Sequence, residues 1–494
     1  MRRTVLVVLA FVAVLVVATT TVVLVRAVLV GNVPAPEPRV HITVDADRAA
    51  RHLSGALRFR TIASADGTPS KAEFMRLQDY LVATYPLTHA RLVRETINGA
   101  SLLYEWKGKD RGNAPIVLMG HIDVVPVGPG SESRWTRPPY AGAISDGFVY
   151  GRGALDDKSA VIAILDAVEQ LLQERFSPSR TIYLAFGADE EVGGEHGAGE
   201  IVRLLQERGV GEPAMVLDEG GALIAGQVPG VAGPAAMIGI AEKGYLTLAL
   251  SAEGPSGHSS TPLVPTQIGR VSAAIARLET HPFPGRLEAP ALEMLRAITP
   301  GQPFGRRLVL ANLWLFGPLV TQQMLSSPDL ATIVRTTTAP TIFNAGDTEN
   351  VLPAKARAIV NFQILTGDSI ETVVARVKKT IADPAIEVQP LPVAFATDPS
   401  PVSDVSGSAF AVLAKTARQT LGETSPLIVP FLTGPTDSRY WSKANVRNVF
   451  RFTPFLYERD WMSRAHGTDE RISVQAFADG VRFYLQLIRN ADAL

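Results

Sequence analysis

Cysteine is absent from the 494 residues. No disulfide framework or thiol nucleophile is available, and a bound zinc would have to be held by histidines and carboxylates. Excess charge is also missing: 47 Lys and Arg stand against 48 Asp and Glu, a net charge of −1, so no basic face for nucleic acid is implied. Charge is wholly missing from residues 4–25, an apolar run of roughly the 20 residues that a helix needs to cross a hydrocarbon core. No A-x-A-like cleavage site separates this run from the proline-rich stretch that begins at Pro34, so an uncleaved anchor is expected. Arg2 and Arg3 precede it and favour a cytoplasmic N-terminus, with the rest of the chain outside or lumenal, although Arg26 counts against that orientation. Secretion after signal cleavage is the alternative.

The length exceeds what one hydrophobic core usually serves, so two soluble domains are expected after the N-terminal segment. What the chain does have is a series of acid-rich turns at the ends of predicted strands. The run IVLMGHIDVVPV places His121 and Asp123 at the end of a buried strand over 116–119 that Gly120 closes. VYGRGALDDKSA places Asp156 and Asp157 just before a helix over 158–173. TIYLAFGADEEVGG ends a strand over 181–186 in Asp189, Glu190 and Glu191. In an open α/β sheet such strand ends face one crevice, where ligands bind. Oxygen and imidazole donors suit zinc, manganese or cobalt, and a carboxylate can bridge two ions where an imidazole cannot. Cation charge is what would let so many acids share a pocket. By itself a Glu-Glu pair is usually a solvated face, and two acids before a helix can simply cap it. The three turns together point to a two-metal hydrolase.

These motifs, with LDEGG at Asp218 and AHGTDE at His466, resemble the M20 family of metallopeptidases, in the carboxypeptidase S and aminoacylase-like branch, in the family's order and over nearly all of the chain after the N-terminal segment. The resemblance implies an α/β fold: a zinc-peptidase-like catalytic domain with a mixed sheet flanked by helices, an inserted ferredoxin-like lid, and here an N-terminal transmembrane helix. It implies two divalent ions, zinc foremost, held by His121, Asp156 as the bridge, Glu191, Asp218 and His466. Glu190 matches the general base, and Asp123 the acid that orients His121. Asp218 or Glu219 could be the last carboxylate ligand, and Asp218 is favoured because it directly follows the strand over 214–217.

Further along, a β-α-β-β-α-β order reads from strands over 244–254, 341–352 and 356–365, helices over 266–278 and 369–381, and a strand over 385–391. The resulting division is residues 1–40 for the anchor and linker, 41–241 and 398–494 for the catalytic domain, and 242–397 for the lid, with an insertion at 281–338 that carries no readable motif. By resemblance, His258 in the lid reaches the centre on closure and hydrogen-bonds the oxyanion. Asn350 in DTENVLP touches substrate, while Gln363 stands where the family usually has Arg. Arg439 in TDSR matches a pocket-edge arginine able to hold a substrate carboxylate, pairing with Asp437 being the other reading. Isolated histidines at 41, 52, 89, 196 and 281 receive no role.

The expected activity is hydrolysis of an amide bond in a peptide, as a carboxypeptidase, or in an N-acyl amino acid. N-fatty-acyl amino acid hydrolysis or synthesis is the alternative. The expected partners are that substrate, a membrane through the N-terminal helix, and a second copy through the lid. A non-catalytic peptidase-like receptor is the competing class, and the presence of all five ligand positions and the base argues against it.

Overall fold

The computed structural model describes residues 2–31, 37–64, 71–110, 112–391 and 396–494. Pro34 to Pro36 of the expected linker lie outside them. Helix α1 (Arg2–Leu29) is apolar all round, and at ~1.5 Å per residue it is about 42 Å long. Asp45 caps α2 (Ala46–Ala56), its carboxylate accepting from the Arg48 amide. After α3 (Lys71–Thr84) comes α4 (Pro86–Arg91), where Pro86 suits a first helical turn because its missing N–H costs nothing there. Strands β1 (Val93–Ile97) and β2 (Ser101–Trp106) form a hairpin whose turn holds Asn98 and Gly99 at φ of 49° and 79°.

Next in chain order come β3 (Ile116–His121), β4 (Ala143–Ser145), β5 (Phe148–Tyr150), α5 (Lys158–Gln173), β6 (Ile182–Gly187), α6 (Glu200–Glu207), β7 (Met215–Ala225) and β8 (Pro234–Glu242). A second group follows: β9 (Gly244–Glu253), β10 (Gly257–His258), α7 (Gln267–Thr280), α8 (Ala289–Ile298), α9 (Phe304–Leu310), α10 (Leu313–Leu325), α11 (Pro328–Val334), β11 (Thr337–Ala345), β12 (Val351–Leu352), β13 (Lys355–Ile364), α12 (Ile370–Ile381) and β14 (Ile386–Pro390). The chain ends with α13 (Ser408–Thr420), β15 (Leu427–Thr433), α14 (Arg439–Lys443), β16 (Val449–Leu456), α15 (Trp461–Arg464), β17 (Arg471–Ser473) and α16 (Val474–Ala491).

Eight strands build the large mixed sheet in the order β1-β2-β6-β3-β7-β16-β8-β15, with β6, β3 and β7 parallel at its centre. Every residue of β3 and β6 is buried, as expected of parallel strands covered on both faces. One face packs on α5 and α16, where Val161, Ile164, Val168, Val481, Leu485 and Ile488 belong to a single core. Because β3, β6 and β7 run in register, with His121 opposite Gly187 and Leu118 opposite Leu217, their C-terminal ends converge.

The small sheet has the order β11-β13-β9-β14, antiparallel throughout. Its buried face rests on α7 and α12 through Val271, Ala274, Val373 and Val377. The β-α-β-β-α-β order read from the sequence is the order observed. The insertion forms four helices that pack mainly on the edge of the large sheet, around Ala235 of β8 and Val429 of β15. Besides the passages through the insertion, two direct crossings join the sheets and lie side by side. Lys243 alone separates β8 from β9, and on the return Ser400 N donates to Glu242 O while Tyr245 and Thr397 exchange backbone hydrogen bonds.

Candidate metal centre

The convergent strand ends carry the acids. Gly120, next to last in β3, is required by closeness: a Cβ there would lie 2.8 Å from Asp157 Oδ2. Its absence lets the turn before α5 sit against the strand. The β6 turn continues into a single 3-10 turn, Glu190–Val192. His466 arrives from the loop between α15 and β17 on a left-handed backbone, φ 57°.

Asp156 is the junction. Its Oδ1 lies 2.9 Å from His121 Nε2 and its Oδ2 lies 3.0 Å from His466 Nε2. His466 Nε2 is also 3.1 Å from Glu191. Two trios result, His121–Asp156–Glu219 and Asp156–Glu191–His466, each with its donor atoms within 4.8 Å of one another. Asp123 stands behind both. It lies 3.4 Å from His121 Nδ1, and its carboxylate accepts from the amides of Glu190 and Glu191 at 3.2 and 3.1 Å. One residue thus orients an imidazole and the acidic turn together.

The electrostatics of this cluster are those of a place built for cations. Burial pushes Glu190 up to about 8 against the pull of Arg439, with Glu191 and Asp156 adding to the rise. Burial, then Asp156 and Asp157, hold Glu219 well above the usual carboxylate range. Burial acts against ionisation of Asp156 as well, but hydrogen bonds from His121 and His466 bring it below its usual value. His466, bonded to Asp156 and Glu191, is raised to about 10. Buried oxygens of Asp157 and Asp218 have no hydrogen-bond partner among the described residues. A donor set of imidazole and carboxylate, doubled about one bridging acid and short of positive charge, fits two divalent ions.

Three expectations need correction. Asp218, the favoured last carboxylate ligand, is in neither trio. Its Oδ2 accepts from the Thr436 hydroxyl and the Ser438 amide at 2.8 and 2.7 Å, and its neighbour Glu219 takes the place beside His121 and Asp156. The physical reason is strand alternation: β7 runs on through both acids, so they face opposite ways. Gly120, expected to close the first strand, lies inside β3, which continues to His121. Arg439, expected to hold a substrate carboxylate, has its guanidinium engaged within the protein. It is buried, its Nη2 donating to Glu190 Oε1 at 2.9 Å and its Nε to Thr436 O at 2.6 Å.

His258 and Asn350 come together, but away from this cluster. They share an exposed two-stranded ribbon in which His258 pairs with Val351 and the Ser259 amide donates to Asn350 O. Among the described residues no hydrogen bond or ion pair joins that ribbon to the acids. Gln363 bonds Asn361 within the small sheet. Of the unassigned histidines, His52 is bound to Asp166 at 2.6 Å and His89 to the Tyr104 hydroxyl at 3.1 Å.

Sequence reading missed the scaffold behind the site. Arg451, wholly buried, donates to Glu242 at 2.9 Å and to Ser438, while Thr436 bridges Glu242 and Asp218. Arg152 donates to Glu470 at 2.6 Å, and Glu470 in turn accepts from the amides of Gly153, Leu155 and Asp156. Removing one partner of such a buried pair costs about 3–5 kcal/mol. The available signal was Arg152 beside the acidic turn and Glu470 after His466, but their pairing spans more than three hundred residues.

A profile of the peptidase family M20/M25/M40 matches residues 117–490, which begin in β3 and end in α16 and so enclose every acid and imidazole of the metal centre. The chain belongs to the M20 family. This M20 chain is 36% identical over 449 residues to probable carboxypeptidase S-like 2 of Dictyostelium discoideum, covering 90% of this chain and 85% of that protein. It is 38% identical over 446 residues to the N-fatty-acyl-amino acid synthase/hydrolase PM20D1 of Xenopus tropicalis, covering 89% and 85%. In fold it is similar to an M20 family metallo-carboxypeptidase from Sulfolobus solfataricus, with TM-score 0.68 at 19% identity over 90% of this chain and 99% of that one. M20 is a family of dinuclear metal-binding peptidases, and the chain is a metallopeptidase-type enzyme of it.

Proposed function

We propose that the protein is a two-metal hydrolase that cleaves an amide bond of peptides, as a carboxypeptidase, or of N-acyl amino acids. The observation that carries this reading is Asp156, whose two oxygens each face a different histidine within 3.0 Å. His121, Asp156 and Glu219 would hold one ion, and Asp156, Glu191 and His466 the other, zinc foremost, with manganese or cobalt as alternatives. When bound, such a pair supplies Lewis acidity and makes an attacking water more acidic.

The remaining steps belong to side chains. Glu190, unligated and held by Arg439, accepts the proton of the attacking water and returns it to the leaving amine. Its raised pKa suits a base that must also act as an acid. His258 donates to the oxyanion once the small sheet closes, with Asn350 beside it against substrate. Arg439 acts as a positioning residue for Glu190. The small sheet is also the proposed pairing surface for a second copy: β11 is an edge strand with Ile342 and Phe343 exposed.

The N-terminal helix is proposed as a retained, single-pass anchor with the enzyme outside or lumenal. A cleaved signal would have no use for the packing seen at its end, where Val23 and Ala27 are buried and Arg26 Nε donates to Ala311 O at 3.1 Å.

The relatives divide between carboxypeptidase S-like and N-fatty-acyl amino acid enzymes, so the substrate decides between two readings. Purified protein loaded with zinc, manganese or cobalt is offered dipeptides, N-acetyl amino acids and N-oleoyl amino acids. Preference for the first two supports the peptidase and aminoacylase reading, and preference for the last supports the fatty-acyl reading. Failure to hydrolyse any of them with two ions bound would sink both.

A further inference from the structure

The insertion between β9 and β11 has an exposure pattern that water does not explain. Helices α9 and α10 form a pair bent by 105°. Phe304, Trp314, Leu315 and Leu319 on them are between 44% and 58% exposed. A soluble surface seldom gathers four large apolar side chains on one hairpin. The apolar helix α1 docks on the same hairpin: Asn312 Nδ2 donates to Val23 O at 3.0 Å, beside the bond from Arg26 to Ala311. Gly31, just past the end of α1, lies against Arg307.

Under this junction is a cavity of about 980 Å³, at the upper end of the ~300–1,000 Å³ of small-molecule sites. Leu287, Leu292, Leu310, Leu313 and Leu325 are on its wall, and among the described residues its cationic lining is Arg26 and Arg296 and no acid lines it. Arg296 is paired with Glu293 of its own helix, so Arg26 is the cation that faces this apolar space without an acidic partner among those residues, and the combination matches an acyl chain that carries a phosphate head. Exposed Arg306 and half-buried Arg307 add positive charge nearby, where anionic headgroups attract it.

We propose that the α9–α10 hairpin lies in the interfacial layer of the bilayer beside α1, with Trp314 among the lipid chains, and that the cavity takes an acyl chain of a membrane phospholipid. This rests on α1 being a retained membrane span. The occupant follows from continuity: the apolar face of the hairpin extends the apolar surface of a helix that already has the length of a span. Helices of this kind bury their apolar face ~5–10 Å into the boundary between headgroups and chains, and tryptophan is favoured at that level.

The test uses the full-length chain in vesicles of phosphatidylcholine and phosphatidylglycerol, with and without bromine on the acyl chains. The part of the emission that Trp314→Phe removes falls about twofold or more with brominated lipid, as contact with chains at that depth requires. Native mass spectrometry then finds a phospholipid retained per chain. Gly317→Phe removes it, because a Cβ at Gly317 meets nothing closer than Leu287 at 3.9 Å and a larger side chain can enter the cavity. Release of the protein by alkaline carbonate removes the anchor reading and this proposal with it. Retention in the membrane with Trp314 unquenched overturns the hairpin placement alone, and retention of the lipid by Gly317→Phe overturns the cavity assignment.

Discussion

Asp156 and His258 were both assigned to one reaction, and they sit in opposite kinds of place. Around Asp156 the carboxylates are half-buried, their backbone fixed by parallel strands and by amides that Asp123 gathers. Around His258 there is a two-residue ladder in open solvent, with Ser260 as the nearest hydrogen-bond partner at 2.9 Å. The first region is preorganised and its cost is electrostatic. The second has no such cost, and its proposed part in the reaction depends on closure of the small sheet. Binding of ions and completion of the catalytic group are therefore separable, and the two regions should respond differently to the same kind of change.

The largest effect is expected at Glu190. Glu190→Gln should keep both ions and the fold yet lower kcat by up to about 10⁴-fold, the upper range for a general base; metal analysis beside steady-state rates checks this, and near-normal turnover would end its role. His258→Ala should lower kcat by about 10²–10³-fold, as loss of an oxyanion donor does, with ion content and melting temperature unmoved. A change in ion content there would break the separation of the two regions. Within the acid centre, Glu219→Gln should weaken ion binding by about 10–100-fold or more, the scale on which groups around a metal act, while Asp218→Asn should do so much less. Competition with a chelator compares the pair, and the reverse ranking would restore Asp218 as ligand.

The smallest effect is a dependence on pH. Burial raises Glu190 from 4.5 to about 8. A carboxyl raised in the folded state contributes stability that is complete below its unfolded value and lost as pH climbs through the folded one. Ion-free protein should therefore melt at progressively lower temperature between about pH 4.5 and 8, and added divalent ions should flatten the trend. Thermal melts with and without chelator decide it, and a flat ion-free curve would mean that the acids are solvated.

How much could be read beforehand follows the same division. The helix over 158–173 was legible to the residue because apolar spacing and the break after the acids are local. So was the β-α-β-β-α-β order, and so were the turns carrying His121, Asp156 and Glu191. The choice between Asp218 and Glu219 was not, because it depends on where β7 ends, and the pairing with β16 that carries β7 through both acids comes from more than two hundred residues away. The bond from Arg439 to Glu190 was not legible for the same reason: the two are 249 positions apart. The insertion gave no motif because its four helices are specified by packing on Ala235, Val429 and the end of α1 rather than by any local signature.

The two direct crossings between the sheets have a mechanical meaning. Where Ser400 bonds Glu242 and Thr397 bonds Tyr245, the outgoing and returning crossings are clipped together, and the insertion, seated on Ala235 and Val429, braces the small sheet from a second side. Glu242, at the foot of that junction, is also held by Arg451 and Thr436, so the junction stands on the same buried framework that steadies the acids. A closure of the small sheet that brought His258 to the acids, as proposed above, would have to turn on this junction, which stands beside the reacting centre.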